Sequence, residues 1–131
     1  MYLYLVEHAE AKPAEIDPAR GLTAKGAADV RKVTAHLRKL NLETRKIYHS
    51  GKTRAYETAS ILAAQIKPAK GVVETDGLGP QDDPQIWYAS MLLCGDPEKA
   101  VVHFKTGGIV CLTRLEENWS LEWAIAPDVL G

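Results

Sequence analysis

The chain reads as an α/β protein whose sheet is mixed, parallel where its first two strands are concerned, and three observations predict this. Residues 1–6, Met1-Tyr2-Leu3-Tyr4-Leu5-Val6, are apolar without alternation, as in a parallel strand covered on both faces. A strand-like run, a polar turn and an amphipathic helix follow one another twice before residue 67, which is the sequence form of a βαβ arrangement. Near the carboxyl end, Gly108 to Arg114 and Trp119 to Ile125 are joined by Leu115-Glu116-Glu117-Asn118, which suits an antiparallel hairpin.

After the first strand, residues 7–22 hold Pro13, Pro18 and Gly21 among small and charged residues, so they form a long loop of the kind that carries function. Thr23 is placed to cap a helix. Behind it Ala27, Val30, Val33, Leu37 and Leu40 recur at three- and four-residue spacing, with Lys25, Asp29, Arg31 and Lys32 on the other face. Lys46 to His49 is the second strand, ended by Ser50-Gly51, and the second helix runs from about Thr53 to Ile66. Val72 to Glu74 is a brief third strand, and Gly77-Leu78-Gly79-Pro80 a turn. Asp82-Asp83-Pro84 caps a short apolar helix from about Gln85 to Leu93, ended by Gly95, and Val101 to Phe104 is a further strand.

With 131 residues, of which 46% are hydrophobic and 25% charged, the chain is sized for one domain, taken as 1–131, and disorder is excluded. Sixteen basic residues oppose seventeen acidic ones, a net charge of −1, so no global field favours nucleic acid or an anionic membrane, and any anion site must be local. Cys94 and Cys111 have no metal-ligand spacing and read as buried thiols of a reduced, cytoplasmic protein. No apolar run reaches transmembrane length.

In open α/β sheets, ligands bind beyond the carboxyl ends of the strands. His8 follows strand one, Ser50 follows strand two, Arg20 lies in the first loop and Arg54 in the first turn of helix two. A histidine flanked by guanidinium groups and a helix amino terminus suits phosphoryl chemistry: arginines clamp phosphate oxygens, backbone N–H groups add positive potential, and neutral imidazole attacks phosphorus. Taken singly, each of these residues is more often structural. His36 reads as solvated, His49 as a hydrogen-bonding neighbour of the pocket, His103 as a sheet-face residue, and Trp87 and Tyr88 as core.

Leu3-Tyr4-Leu5-Val6-Glu7-His8-Ala9-Glu10-Ala11 resembles the opening of the histidine phosphatase superfamily, whose signature is Arg-His-Gly or Arg-His-Ala. Ser50-Gly51-Lys52-Thr53-Arg54-Ala55-Tyr56-Glu57-Thr58-Ala59 is similar to its second motif, Ser-x-x-x-Arg-Ala-x-x-Thr-Ala. The Asp17 to Thr23 loop, the Gly77 turn with Asp82-Asp83, and Gly107-Gly108-Ile109-Val110-Cys111-Leu112 resemble the SixA-like branch. The resemblance implies a phosphoglycerate-mutase-like three-layer sandwich, here internally truncated. It implies His8 as the nucleophile, Arg54 as its catalytic partner on the phosphate oxygens, and Arg20 and Ser50 as phosphate-binding residues, with no metal and no cofactor.

Two departures stand beside the matches. Glu7 occupies the place of the signature arginine. Pro84 to Tyr88 spans an interval where family members hold a strand, a Gly-His turn and a helix start, so the second active-site histidine has no counterpart. The resemblance therefore implies a SixA-type phosphohistidine phosphatase of weak or lost activity, acting on a phosphohistidine signalling or phosphotransfer protein through a His8 phosphoenzyme. The alternative is a non-catalytic pseudophosphatase that binds a phosphorylated partner or a phosphate-like anion. A missing internal strand also exposes sheet edges, from which a homodimer is expected.

Overall fold

The computed structural model describes residues 1–78, 92–93, 95 and 104–130. Within them the chain forms β1 (Tyr2–Val6), α1 (Ala24–Arg38), β2 (Ile47–His49), α2 (Thr53–Ile66), β3 (Val72–Glu74), β4 (Ile109–Leu115), β5 (Asn118–Ile125) and a closing 3-10 turn at Pro127–Val129. Leu92 and Leu93 are helical. The rest of the expected Gln85–Leu93 helix, with Trp87 and Tyr88, lies outside the described residues, as do Asp82-Asp83, Cys94 and Val101 to His103.

Local chemistry accounts for the helix boundaries. Thr23 caps α1 by accepting from the Gly26 N–H at 2.9 Å. The buried stripe Val30, Val33, Thr34 and Leu37 follows the helical period. Gly26 lies so close to the Glu10 carbonyl that a Cβ there would collide with it, so the first turn of α1 rests on the loop backbone. That loop is closed on itself: the Lys12 N–H donates to Gly21 O and the Thr23 N–H to Glu10 O, while both Asp17 carboxylate oxygens accept from backbone N–H groups. α2 ends at Lys67, which takes the left-handed conformation common just past a helix.

β1, β4 and β5 form one antiparallel sheet in the order β1-β4-β5, and β2 pairs with β3 in a separate parallel ladder. The β4–β5 hairpin expected from the sequence is present, with Leu115 opposite Asn118 and a bulge between Cys111 and Leu112 that adds Glu122 to the β5 side. α1 and α2 pack against each other and α2 against β2 and β3, and their Val30, Val33, Leu37 and Leu62 share one core cluster with Ile109 of β4, with Tyr4, Val6 and Trp123 against it.

The mixed α/β class therefore holds, and among the described residues the first two strands are not ladder neighbours. β1 ladders antiparallel to β4, and β2 ladders to β3. The physical reason is that alternation of strand and helix places strands in one layer without making them neighbours. β1 is half-buried from Leu3 to Val6 and exposed at Tyr2, rather than sealed on both faces.

Candidate active site

The carboxyl ends of β1 and β2 and the amino end of α2 meet around one cavity of about 810 Å³, lined by Glu7, His8, Ser50, Lys52 and Arg54 among others. His8 is anchored through its backbone on both sides. The Glu7 N–H donates to Gly108 O at 3.0 Å, the His8 carbonyl accepts from the Gly107 N–H at 3.1 Å, and the fully buried Ala9 donates to Thr58 Oγ1 at 3.1 Å. Thr58 in turn donates to the Arg54 carbonyl at 2.8 Å, so one hydroxyl ties the residue after His8 to the turn of α2 that carries Arg54.

The imidazole is held by both nitrogens. Nδ1 lies 2.8 Å from the Ala9 carbonyl, which only accepts, so Nδ1 carries the proton. The Arg54 Nε–H, which only donates, points at His8 Nε2 at 3.2 Å. The two contacts together assign the Nδ1–H tautomer and leave a lone pair on Nε2, the form needed for nucleophilic attack. Glu7 Oε1 is 3.6 Å from the same Nε2, too far for a hydrogen bond; with Nε2 unprotonated this is a close approach of an anion rather than an ion pair.

Positive potential comes from Arg54 and from α2 itself. The N-cap Lys52 makes no side-chain capping bond, so the first-turn N–H groups are not satisfied by their own cap. Ser50 lines the cavity, and its Oγ accepts a long 3.5 Å contact from the Lys52 N–H. Gly51 is required in this turn: its φ is +85°, and a Cβ would strike the Glu74 carboxylate.

Of the residues singled out from the sequence, His8, Arg54 and Ser50 come together. Arg20 does not line the cavity; it sits in the left-handed region at φ 53°, and its Nε–H donates to the Lys12 carbonyl at 3.1 Å, which braces the loop. His49 is buried, accepts from the Gly51 N–H through Nδ1 and packs edge-on to Tyr56, the structural role expected of it.

Sequence reasoning missed three supports: Thr58, Glu57, whose carboxylate accepts from the Leu22 N–H at 2.6 Å, and the Gly107-Gly108 pair. Thr58 was visible as the threonine of the second motif, and Gly107-Gly108 as the start of the similar tail. Nothing in the sequence marked Glu57. Among the described residues no group of three or more His, Cys, Asp or Glu side chains is placed to hold a metal ion, and no helix is long and apolar enough to cross a membrane.

The histidine phosphatase superfamily (branch 1) model matches residues 3–79. The structure of the protein histidine phosphatase SixA complexed with tungstate is similar at a TM-score of 0.73 and 20% identity, covering 100% of both chains. The putative phosphohistidine phosphatase SixA from Agrobacterium tumefaciens is similar at a TM-score of 0.73 and 19% identity, over 95% of this chain and 97% of that one. The SixA structure from Nakamurella multipartitia, also described as putative, gives 0.65 and 17% identity over 96% and 95% of the two chains. No curated protein matches the chain.

Proposed function

This chain belongs to the histidine phosphatase superfamily, and on that premise we propose that it is a cytoplasmic phosphohistidine phosphatase of the SixA type with slow turnover. The observation that carries this reading is the direct contact of an Nδ1-protonated His8 with Arg54 at 3.2 Å in the wall of the cavity that both line. Likeness to a SixA structure that holds tungstate, a tetrahedral oxyanion, supports it further.

In the proposed reaction the Nε2 lone pair of His8 attacks the phosphorus of a phosphohistidine side chain on a partner protein. The Nε2–P bond forms as the substrate N–P bond breaks, and the substrate imidazole leaves with a proton on its other nitrogen. Arg54 moves from Nε2 to the phosphoryl oxygens, and the first-turn N–H groups of α2 add to the same field. Water then attacks phosphorus, the Nε2–P bond breaks and phosphate departs. An imidazole leaving group makes little demand on a general acid, so histidine and arginine suffice.

Glu7 slows this chemistry by placing an anion 3.6 Å from the attacking nitrogen. The same observation favours a second reading, a non-catalytic relative that retains the pocket to bind a phosphorylated partner. Phosphate release from a phosphohistidine protein separates the two. Slow release that His8→Ala abolishes supports the enzyme; binding without release, lost on Arg54→Ala, supports the binder. Release that survives His8→Ala refutes the nucleophile assignment.

A further inference from the structure

We propose that Glu57 is a positioning residue for the nucleophile: by holding the returning end of the loop that follows β1 onto α2, it sets the direction of the Ala9 carbonyl and through it the orientation of the His8 imidazole. The loop leaves the site at Ala9 and returns at Leu22, and both ends are fixed to consecutive residues of α2. The Ala9 N–H donates to Thr58 Oγ1 at 3.1 Å and the Leu22 N–H to Glu57 Oε2 at 2.6 Å. Both anchors lie in the turn after Arg54, so one helix carries the guanidinium and the two ends of the loop.

The two anchors act on different peptide groups. Thr58 holds the peptide before Ala9, which places the His8 backbone. The peptide after Ala9 carries the carbonyl that accepts from His8 Nδ1 at 2.8 Å, and its direction comes from the loop. Ala11 pairs antiparallel with Leu22: the Thr23 N–H donates to Glu10 O at 3.0 Å and the Lys12 N–H to Gly21 O at 2.9 Å. The outgoing leg, residues 10–12, is thereby laddered to the returning leg, residues 21–23. In such a pair the Leu22 N–H points away from Ala11, and here it meets Glu57. Arg20 Nε–H closes the loop on the Lys12 carbonyl, so a shift of Leu22 is passed to residues 10–12 and to the Ala9 carbonyl beside them.

Gly21 is shaped for this contact. A Cβ there would stand 3.1 Å and 3.4 Å from the two Glu57 carboxylate oxygens and 3.3 Å from Asp17 Oδ2, so a bare Cα is what lets the carboxylate reach the next N–H. Leu22 is buried, and its N–H depends on a protein acceptor. The inference rests on the phosphatase reading for its effect on turnover. In the proposed reaction Arg54 leaves Nε2 for the phosphoryl oxygens, and the Nδ1 bond to Ala9 is then what keeps the Nε2 lone pair in line with phosphorus.

NMR of protein carrying nitrogen-15 histidine, tungstate titration and phosphohistidine turnover test this in Glu57→Ala, Glu57→Gln and Gly21→Ala. In wild type the His8 Nδ1–H should exchange slowly with water. In Glu57→Ala it should exchange about tenfold faster and kcat should fall about tenfold, while tungstate affinity stays within about twofold because Arg54 keeps its place. Glu57→Gln retains an acceptor facing Leu22 and should recover most of both. Gly21→Ala crowds the carboxylate from the loop side and should move both in the same direction by less, which keeps the test open even where Glu57→Ala does not fold. Unchanged Nδ1–H exchange and kcat in Glu57→Ala and Gly21→Ala, whatever their stability, would overturn the proposal, as would a rapidly exchanging Nδ1–H in wild type. A wild type that releases no phosphate would sink the enzyme reading alone, and Nδ1–H exchange in the variants would still decide this one.

Discussion

Replacing Glu7 tests the electrostatics of the site most sharply, because the structure puts its carboxylate 3.6 Å from His8 Nε2. An oxyanion held between Nε2 and Arg54 would lie about 4 Å from that carboxylate, where two unit charges interact by about 4 kcal/mol at an effective dielectric near 20. The Glu7 side chain is 32% exposed, so solvent screening reduces this to about 1–2 kcal/mol. Glu7→Gln should therefore tighten tungstate binding by roughly tenfold, since 1.4 kcal/mol is a factor of ten. Glu7→Arg removes the repulsion and adds an attraction, and should gain roughly a hundredfold, with most of the gain lost in high salt. Isothermal titration with tungstate at low and high salt measures both. An affinity for Glu7→Arg within twofold of wild type would show that the carboxylate does not face the anion, and the reasoning would fail.

Three other outcomes follow from the same contacts. Thr58→Val removes the acceptor of the buried Ala9 N–H and should cost about 1–3 kcal/mol in urea unfolding, together with a fall in phosphohistidine turnover; unchanged stability would discount the Thr58 bridge. Glu116 holds a φ of 56° at the first position of the two-residue hairpin loop, so Glu116→Gly should raise stability by about 0.5–1 kcal/mol, and a loss would show the turn unstrained. Burial, reinforced by the Glu122 charge, pushes the Cys111 thiol up to about 11. The unfolded thiol ionises first, so its contribution is fully present below about pH 8.5 and is lost as pH rises toward 11, on the order of 2 kcal/mol by pH 10.5. Cys111→Val should flatten the fall in urea midpoint between pH 8 and pH 10.5, and an equal fall in both proteins would refute the assignment.

What the sequence revealed was largely local. The cap at Thr23, the α1 stripe and the β4–β5 hairpin depend on residues within a few positions of one another, and all are present as expected. Strand order is not local: the apolar run of β1 gives no sign that β4 rather than β2 is its partner. The bulge at Cys111 and Leu112 is likewise invisible, because the alternation of β5 continues through Glu122. At the site, His8 and Arg54 were legible because their motifs carry chemistry in a fixed order. Arg20 was less so, since its direction depends on a left-handed backbone angle that loop composition does not specify. Glu57 escaped notice because an acidic residue on a helix is ordinarily solvated, and only the folded loop brings the Leu22 N–H to it.

Crystals of the chain grown with tungstate would test the shared anion hollow most directly, by locating tungsten through its anomalous scattering. The account predicts a single strong peak within hydrogen-bonding reach of both the Arg54 guanidinium and His8 Nε2, with the Arg54 to Nε2 contact of 3.2 Å opened to admit it. Tungstate bound elsewhere while that contact stays closed, or His8 and Arg54 turned apart, would contradict it.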